Sequence, residues 1–121
     1  QTDIVKYGEK IKIVVEYQVS EAYAEELVVG VAILRVDNLY ICGLNTLLDH
    51  VNVGERKDGR IQLEYESCDL MPGSYYFDCG LMEKNAYVNL DYKTKIYEFK
   101  VVSEYIGEGI IILRHKWDVL D

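Results

Sequence analysis

Leu70-Met71-Pro72-Gly73-Ser74-Tyr75-Tyr76-Phe77-Asp78-Cys79-Gly80-Leu81 is the stretch that decides the fold. Pro72-Gly73 marks a turn, because proline presets φ and glycine accepts backbone angles that other residues avoid. After it, Tyr75, Phe77, Cys79 and Leu81 alternate with Tyr76, Asp78 and Gly80. A period of two with one apolar set is the pattern of a strand with one face on a core. The same pattern recurs in both directions from this stretch. Tyr97, Phe99 and Val101 alternate with Glu98, Lys100 and Val102, and Ile61, Leu63 and Tyr65 with Arg60, Gln62 and Glu64. Ile11, Ile13, Val15 and Tyr17 alternate with Lys10, Lys12, Val14 and Glu16. Two runs, Leu27 to Val36 and Gly109 to Leu113, are almost continuously apolar and predict central strands covered on both faces.

Tyr7-Gly8, Asp37-Asn38, Asp58-Gly59 and Gly107-Glu108-Gly109 supply the other turn signals. Helical turns are expected only at Ser20 to Glu26 and Thr46 to Val51. Strands at roughly 8–12-residue spacing predict an all-β fold. The expectation is an immunoglobulin-like or jelly-roll antiparallel β-sandwich of seven to eight strands, one domain spanning residues 1–121.

Composition narrows the function. Half of the 121 residues are hydrophobic, too many for disorder, and no apolar run approaches the ~20 residues of a membrane span. Thirteen Lys and Arg stand against 21 Asp and Glu, a net charge of −8, which argues against a nucleic-acid partner. Cys42, Cys68 and Cys79 form no CxxC pair, and their odd number favours a reducing compartment. With only His50 and His115 beside them, no zinc-ligand spacing arises, and no metal is expected. The start Gln1-Thr2-Asp3 has neither an initiator Met nor a secretory signal, so a domain of a longer protein is expected.

Catalytic patterns are missing from the sequence. Ser20, Ser67, Ser74 and Ser103 sit in no G-x-S-x-G elbow, and Cys79 lies in the apolar set of its strand. No phosphate-cradling glycine loop occurs, so neither ATP nor another cofactor is expected in this domain. An enzyme is not expected.

The eleven tyrosines say more. A phenol ring stacks on the C–H face of a sugar and adds a hydroxyl for hydrogen bonding. Tyr17, Tyr65, Tyr75 and Tyr97 run in phase with core residues, whereas Tyr76 shares the opposite face with Asp78 and Gly80. On the run from Leu27, a core set of Val29, Val31 and Ile33 leaves Gly30 and Ala32 on the other face. Small residues on two neighbouring strands would make a shallow depression. The candidate site is therefore Tyr76 as stacking ring, Asp78 as bidentate acceptor for vicinal hydroxyls, Gly80, Gly30 and Ala32 as floor, and Asn45 or Arg35 as donor. Against it stands the reading in which Gly30 and Ala32 make room for a packed element and Asn45-Thr46 shape a turn.

Several motifs in order carry a family resemblance. Lys6-Tyr7-Gly8-Glu9-Lys10-Ile11-Lys12-Ile13, running on to Glu16-Tyr17, resembles an aromatic-x-G-[DE] opening followed by an alternating strand ending in Tyr, although here the aromatic stands directly before the glycine. Gly30 to Val36, Asp37-Asn38 and Gly43-Leu44-Asn45-Thr46 resemble a strand, a turn and a G-x-N-T signature. Leu70-Met71-Pro72-Gly73-Ser74-Tyr75 resembles an L-x-P-G-x-Y hairpin strand, and Gly107-Glu108-Gly109 with Leu113 to Trp117 a G-x-G…h-x-W close. Together they resemble the C-terminal carbohydrate-binding domain of the Wzt-type nucleotide-binding subunit of polysaccharide ABC exporters. That family usually carries a further strand ahead of its opening motif, for which the residues from Gln1 leave little room.

The resemblance implies a cytoplasmic domain fused after an ATPase, membrane-associated through the transporter complex. Its partners would be an undecaprenyl-linked glycan (an O-antigen of lipopolysaccharide or a teichoic acid) and a membrane permease reached through the ATPase. It also implies a homodimer with exchanged terminal strands, which Ile110 to Leu113 would supply. Two rival expectations are a structural dimerisation module of the ATPase and a β-sandwich glycosidase with two carboxylates across a cleft.

Overall fold

A computed structural model describes residues 3–19, 27–53, 57–83 and 89–120. Its strands are β1 (Asp3–Lys6), β2 (Ile11–Gln18), β3 (Leu27–Arg35), β4 (Tyr40–Asn45), β5 (Asp58–Tyr65), β6 (Gly73–Glu83) and β7 (Asn89–Val102). They form a five-stranded sheet in the order β1-β7-β6-β3-β4 and a two-stranded sheet of β2 and β5. Among the described residues, the all-β sandwich with seven strands is as the alternation predicts.

The sheets face each other through the apolar sets that the alternation picked out. Ile11, Ile13, Val15, Leu63 and Tyr65 pack on a cluster of Val31, Ile33, Tyr75, Phe77, Phe99 and Val101. Three rings run through this cluster, Phe99 lying 5.5 Å from Tyr75 and 4.7 Å from Phe77 between centroids. A second cluster joins Tyr17 to Leu27 and Val29, with Ile61 and Leu81 against it. β3 is hydrogen-bonded on both sides, to β4 and β6, and its continuous apolar run is buried on both faces over most of its length. Tyr97 alternates with Phe99 yet is 44% exposed, because the two-stranded sheet leaves this end of β7 uncovered. A cleft of about 330 Å³ opens there between Val15 of β2 and Leu81 and Tyr97 of the larger sheet.

Three features depart from the sequence reading. Room does exist for a strand before Tyr7-Gly8: β1 needs only four residues because it pairs parallel along the edge of β7, Asp3 opposite Phe99. The segment after Asn38 is also a strand. Asn38 adopts φ 71°, which asparagine tolerates, and Arg35 N–H donates to the Leu39 carbonyl at 2.9 Å, so β3 turns directly into β4. At Thr46 to Val51 a single helix-like turn forms, with Asp49 N–H on the Asn45 carbonyl at 3.3 Å and His50 N–H on the Leu47 carbonyl at 3.2 Å, and it stops where His50 takes φ 56° and Val51 N–H turns back to the Thr46 carbonyl at 2.8 Å. Ser20 to Glu26 lies outside the described residues.

The largest departure is Gly109 to Leu113. It makes a single bridge, Ile111 to Leu70, rather than a central strand. Met71 N–H donates to the Ile110 carbonyl and Ile112 N–H to the Asp69 carbonyl, and of the apolar residues there only Ile112 is buried. The physical cause is local. Continuing the register sets Pro72, with no N–H to donate, opposite Gly109 at φ 100°, which ends the ladder there, and at the other end the Cys68 backbone bonds to Gly8 and Glu9 instead.

Candidate functional site

Strand register places small residues in two adjacent rows across three strands. Gly30 of β3 lies opposite Gly80 of β6 and Asn45 of β4, and Ala32 lies opposite Asp78 and Gly43. All six alternate with the core set and so occupy the outward face. They floor a depression of about 250 Å³ whose walls include Tyr40, Met82 and Tyr92.

The glycines matter here because neighbouring side chains lie down on them. A Cβ on Gly80 would sit 2.9 Å from Cδ2 of the Tyr92 ring, and one on Gly30 2.8 Å from the Met82 methyl. The Tyr40 hydroxyl likewise lies over Gly43. Bare backbone thus lets two tyrosines lie low over the sheet at either side, with ring surface still open to solvent.

Asp78 is 5% exposed, the one charged residue among the buried side chains described. Its Oδ2 accepts from the Tyr92 hydroxyl at 2.9 Å and its Oδ1 from the Lys95 backbone N–H at 2.8 Å. The second bond caps a bulge. Between the pairs Phe77–Tyr97 and Cys79–Lys93, Thr94, Lys95 and Ile96 of β7 oppose Asp78 alone, and Lys95 takes φ 50°. Asp78 therefore shapes β7 and holds Tyr92 in place, and both oxygens are engaged rather than held open for vicinal hydroxyls. Burial, followed by the Asp78 hydrogen bond and charge, pushes the Tyr92 phenol up to about 12.

Of the residues the sequence singled out, Gly30, Ala32, Asn45, Asp78 and Gly80 come together. Asn45 Oδ1 accepts from Leu48 N–H at 2.8 Å, which orders the following turn and leaves its NH2 group to donate. Tyr76 shares the outward face but stands beyond the walls, with the Lys95 ammonium 5.4 Å from its ring centroid. Arg35 lies in the other phase, opposite Tyr75. Its Nε and Nη2 donate to Asp37 at 2.8 and 2.7 Å, and this pairing holds the Asp37 carboxyl down at about 2. Asn45, Tyr40 and Tyr92 are the polar and aromatic side chains that border the depression.

Sequence reasoning missed Tyr40, Gly43, Met82 and Tyr92. One signal was available: Tyr92 stands between Asp91 and Lys93, an aromatic in a charged setting. Among the described residues no group of three His, Cys, Asp or Glu is placed to hold a metal. The three cysteines are unpaired and at least half-buried, and burial pushes each thiol up, away from the thiolate that nucleophilic chemistry needs.

The small β-sandwich thus presents an open, tyrosine-walled depression on one face. The chain belongs to the Wzt C-terminal domain family, whose model matches residues 1–113. Its structure is similar to the crystal structure of the C-terminal domain of wzt, with a TM-score of 0.78 at 17% identity over 96% of this chain and 73% of that one. At that identity the likeness speaks for the fold. A comparison with curated proteins returned no match. Family membership suggests a role in a polysaccharide ABC exporter. Among the described residues no helix is long and apolar enough to cross a membrane.

Proposed function

We propose that this domain is a non-catalytic recognition module that binds a lipid-linked cell-surface polysaccharide for ABC export, using the depression on the outward face of the five-stranded sheet. The carrying observation is the floor of Gly30, Gly43 and Gly80 between the rings of Tyr40 and Tyr92. A sugar ring needs an apolar surface for its C–H face and a few fixed polar partners at its edge. The tyrosine rings supply the first, and their hydroxyls with the Asn45 amide the second. Because the depression is shallow and polar at its rim, one domain binds weakly, with desolvation offsetting most of the contact energy. In this reading the glycan is undecaprenyl-linked, the domain works on the cytoplasmic side, and ATP and the permease are engaged by other parts of the exporter. Titration calorimetry with the producing cell's own surface polysaccharide tests it: heat of binding at millimolar to micromolar affinity is expected, and none from a folded sample overturns it.

A second role, self-association, is favoured by the end of the chain. Beyond Ile112, Leu113 is 72% exposed and Trp117 91%, while β2 and β5 among the described residues pair only with each other and keep an open edge each. Exposed large apolar side chains and an unpaired strand edge are both aggregation hazards, and exchange between two copies would cover them in a closed pair. Light scattering on a chain ending at Gly107 decides the point. A monomer is expected where the 121-residue chain is a dimer, and an unchanged dimer refutes exchange through this segment.

A further inference from the structure

We infer that the depression selects a neutral sugar through a proton that the ligand donates to the Tyr92 oxygen, and that Asp78 sets this selectivity. The inference deepens the glycan-binding reading and rests on it.

Hydrogen-bond polarity carries the argument. An ionised carboxylate can only accept. Asp78 is served by two donors, the Lys95 N–H on Oδ1 and the Tyr92 O–H on Oδ2. The phenolic proton of Tyr92 is therefore spent inward, and the lone pairs of its oxygen are what the wall offers a ligand. A free hydroxyl or an amide N–H satisfies them. An ether oxygen or a carboxylate brings acceptor against acceptor and leaves a polar contact unmade.

Charge points the same way. The residues around the depression include Gly30, Gly43, Gly80, Asn45, Tyr40 and Tyr92, with Asp78 the only charged side chain among those that line it. Two described lysines of β7 are directed elsewhere. Lys95 lies over the Tyr76 ring, and Lys93, in the opposite phase with Cys79, has Asp91 at 3.7 Å. An anionic group entering the depression meets a like charge beneath the surface, where screening by water is weak, and no cation among the described residues that line it. Asp78 itself is too buried to grip a sugar, so it acts as a positioning residue. It orients Tyr92, fixes which way its hydrogen bond runs, and sets the charge of the floor.

Asp78→Asn reverses this polarity while keeping the shape. The new amide oxygen can still accept from Lys95 N–H, but its NH2 donates to the Tyr92 oxygen and turns the phenolic proton towards the ligand. The test is a printed array of neutral hexose and deoxyhexose oligosaccharides, matched uronic-acid oligosaccharides, and O-methylated forms of the neutral set. It is probed with the wild-type chain, Asp78→Asn and Tyr92→Phe, each checked for folding by circular dichroism. Wild type is expected to favour neutral over acidic members by on the order of tenfold and to lose the O-methylated ones. Asp78→Asn is expected to close or invert the neutral-over-acidic ratio. Tyr92→Phe is expected to keep weak binding but no longer to separate free from methylated hydroxyls, an effect that a purely structural role would not produce. Should Asp78→Asn fail to fold, the wild-type and Tyr92→Phe comparison decides alone. Equal binding of acidic and neutral members by wild type, or unchanged ranking in folded variants, overturns the inference while leaving glycan binding intact. No binding to any member overturns the glycan reading and this inference together.

Discussion

The two faces of the β3–β6 pair are built from the same two strands and obey opposite rules. Inward stand Val31, Ile33, Tyr75 and Phe77, large and close-packed against the two-stranded sheet. Outward, at the alternate positions, stand Gly30, Ala32, Asp78 and Gly80. A strand that only had to hold a sandwich together would carry polar or β-branched residues on its solvent face. Placing glycines there gives up intrinsic strand stability and yields a concave surface. The difference teaches that the inner face pays in apolar burial for a stable platform, and the outer face uses that stability to keep a recess open.

Substitutions on the two faces should separate stability from binding. The largest effect is expected at Phe99, whose ring lies against both Tyr75 and Phe77 in the core. Phe99→Ala should cost about 3–5 kcal/mol in urea unfolding, because a buried ring leaves a cavity that close-packed neighbours cannot fill. A loss below about 1 kcal/mol would mean that the rings are not packed as described. Gly30→Ala on the outer face should change stability by less than about 1 kcal/mol, since the methyl end of Met82 can swing aside and alanine suits a strand no worse than glycine. The smallest effect is expected at Tyr65, whose hydroxyl is buried with no hydrogen-bond partner among the described residues. Tyr65→Phe removes that orphaned group and should leave the thermal midpoint unchanged or raise stability by up to about 1 kcal/mol. A clear drop in the midpoint would reveal a partner for the phenol.

What the sequence made legible follows from how local each property is. The inward phase of β2, β5 and β6 can be read from alternation alone, since side chains on a strand must point to alternate faces. The outward small residues Gly30, Ala32 and Gly80 were legible for the same reason. β1 was hidden by its length, and β4 because Leu39 to Leu44 shows no polar alternation. The apolar run Ile110 to Leu113 was misread because burial depends on a partner strand, and the opposing segment holds Pro72. The role of Asp78 could not be seen either. It depends on Tyr92 and on the bulge at Lys95, fourteen and seventeen residues away in sequence, which only the register of β7 brings over it. Tyr76 looked like the ring of the site because sequence neighbours are visible and strand neighbours are not.

Gly80→Ala is the sharpest single change for the recess, because its Cβ collides with the Tyr92 ring and pushes it off the floor. The most direct test of the central claim is therefore an NMR titration of isotope-labelled chain, wild type and Gly80→Ala, with the producing cell's surface polysaccharide. Saturable shifts of the Gly30, Gly43 and Gly80 amides in the wild type, weakened about tenfold in folded Gly80→Ala, are the predicted result. Shifts confined to β2 and β5, or equal affinity in the two proteins, would contradict it.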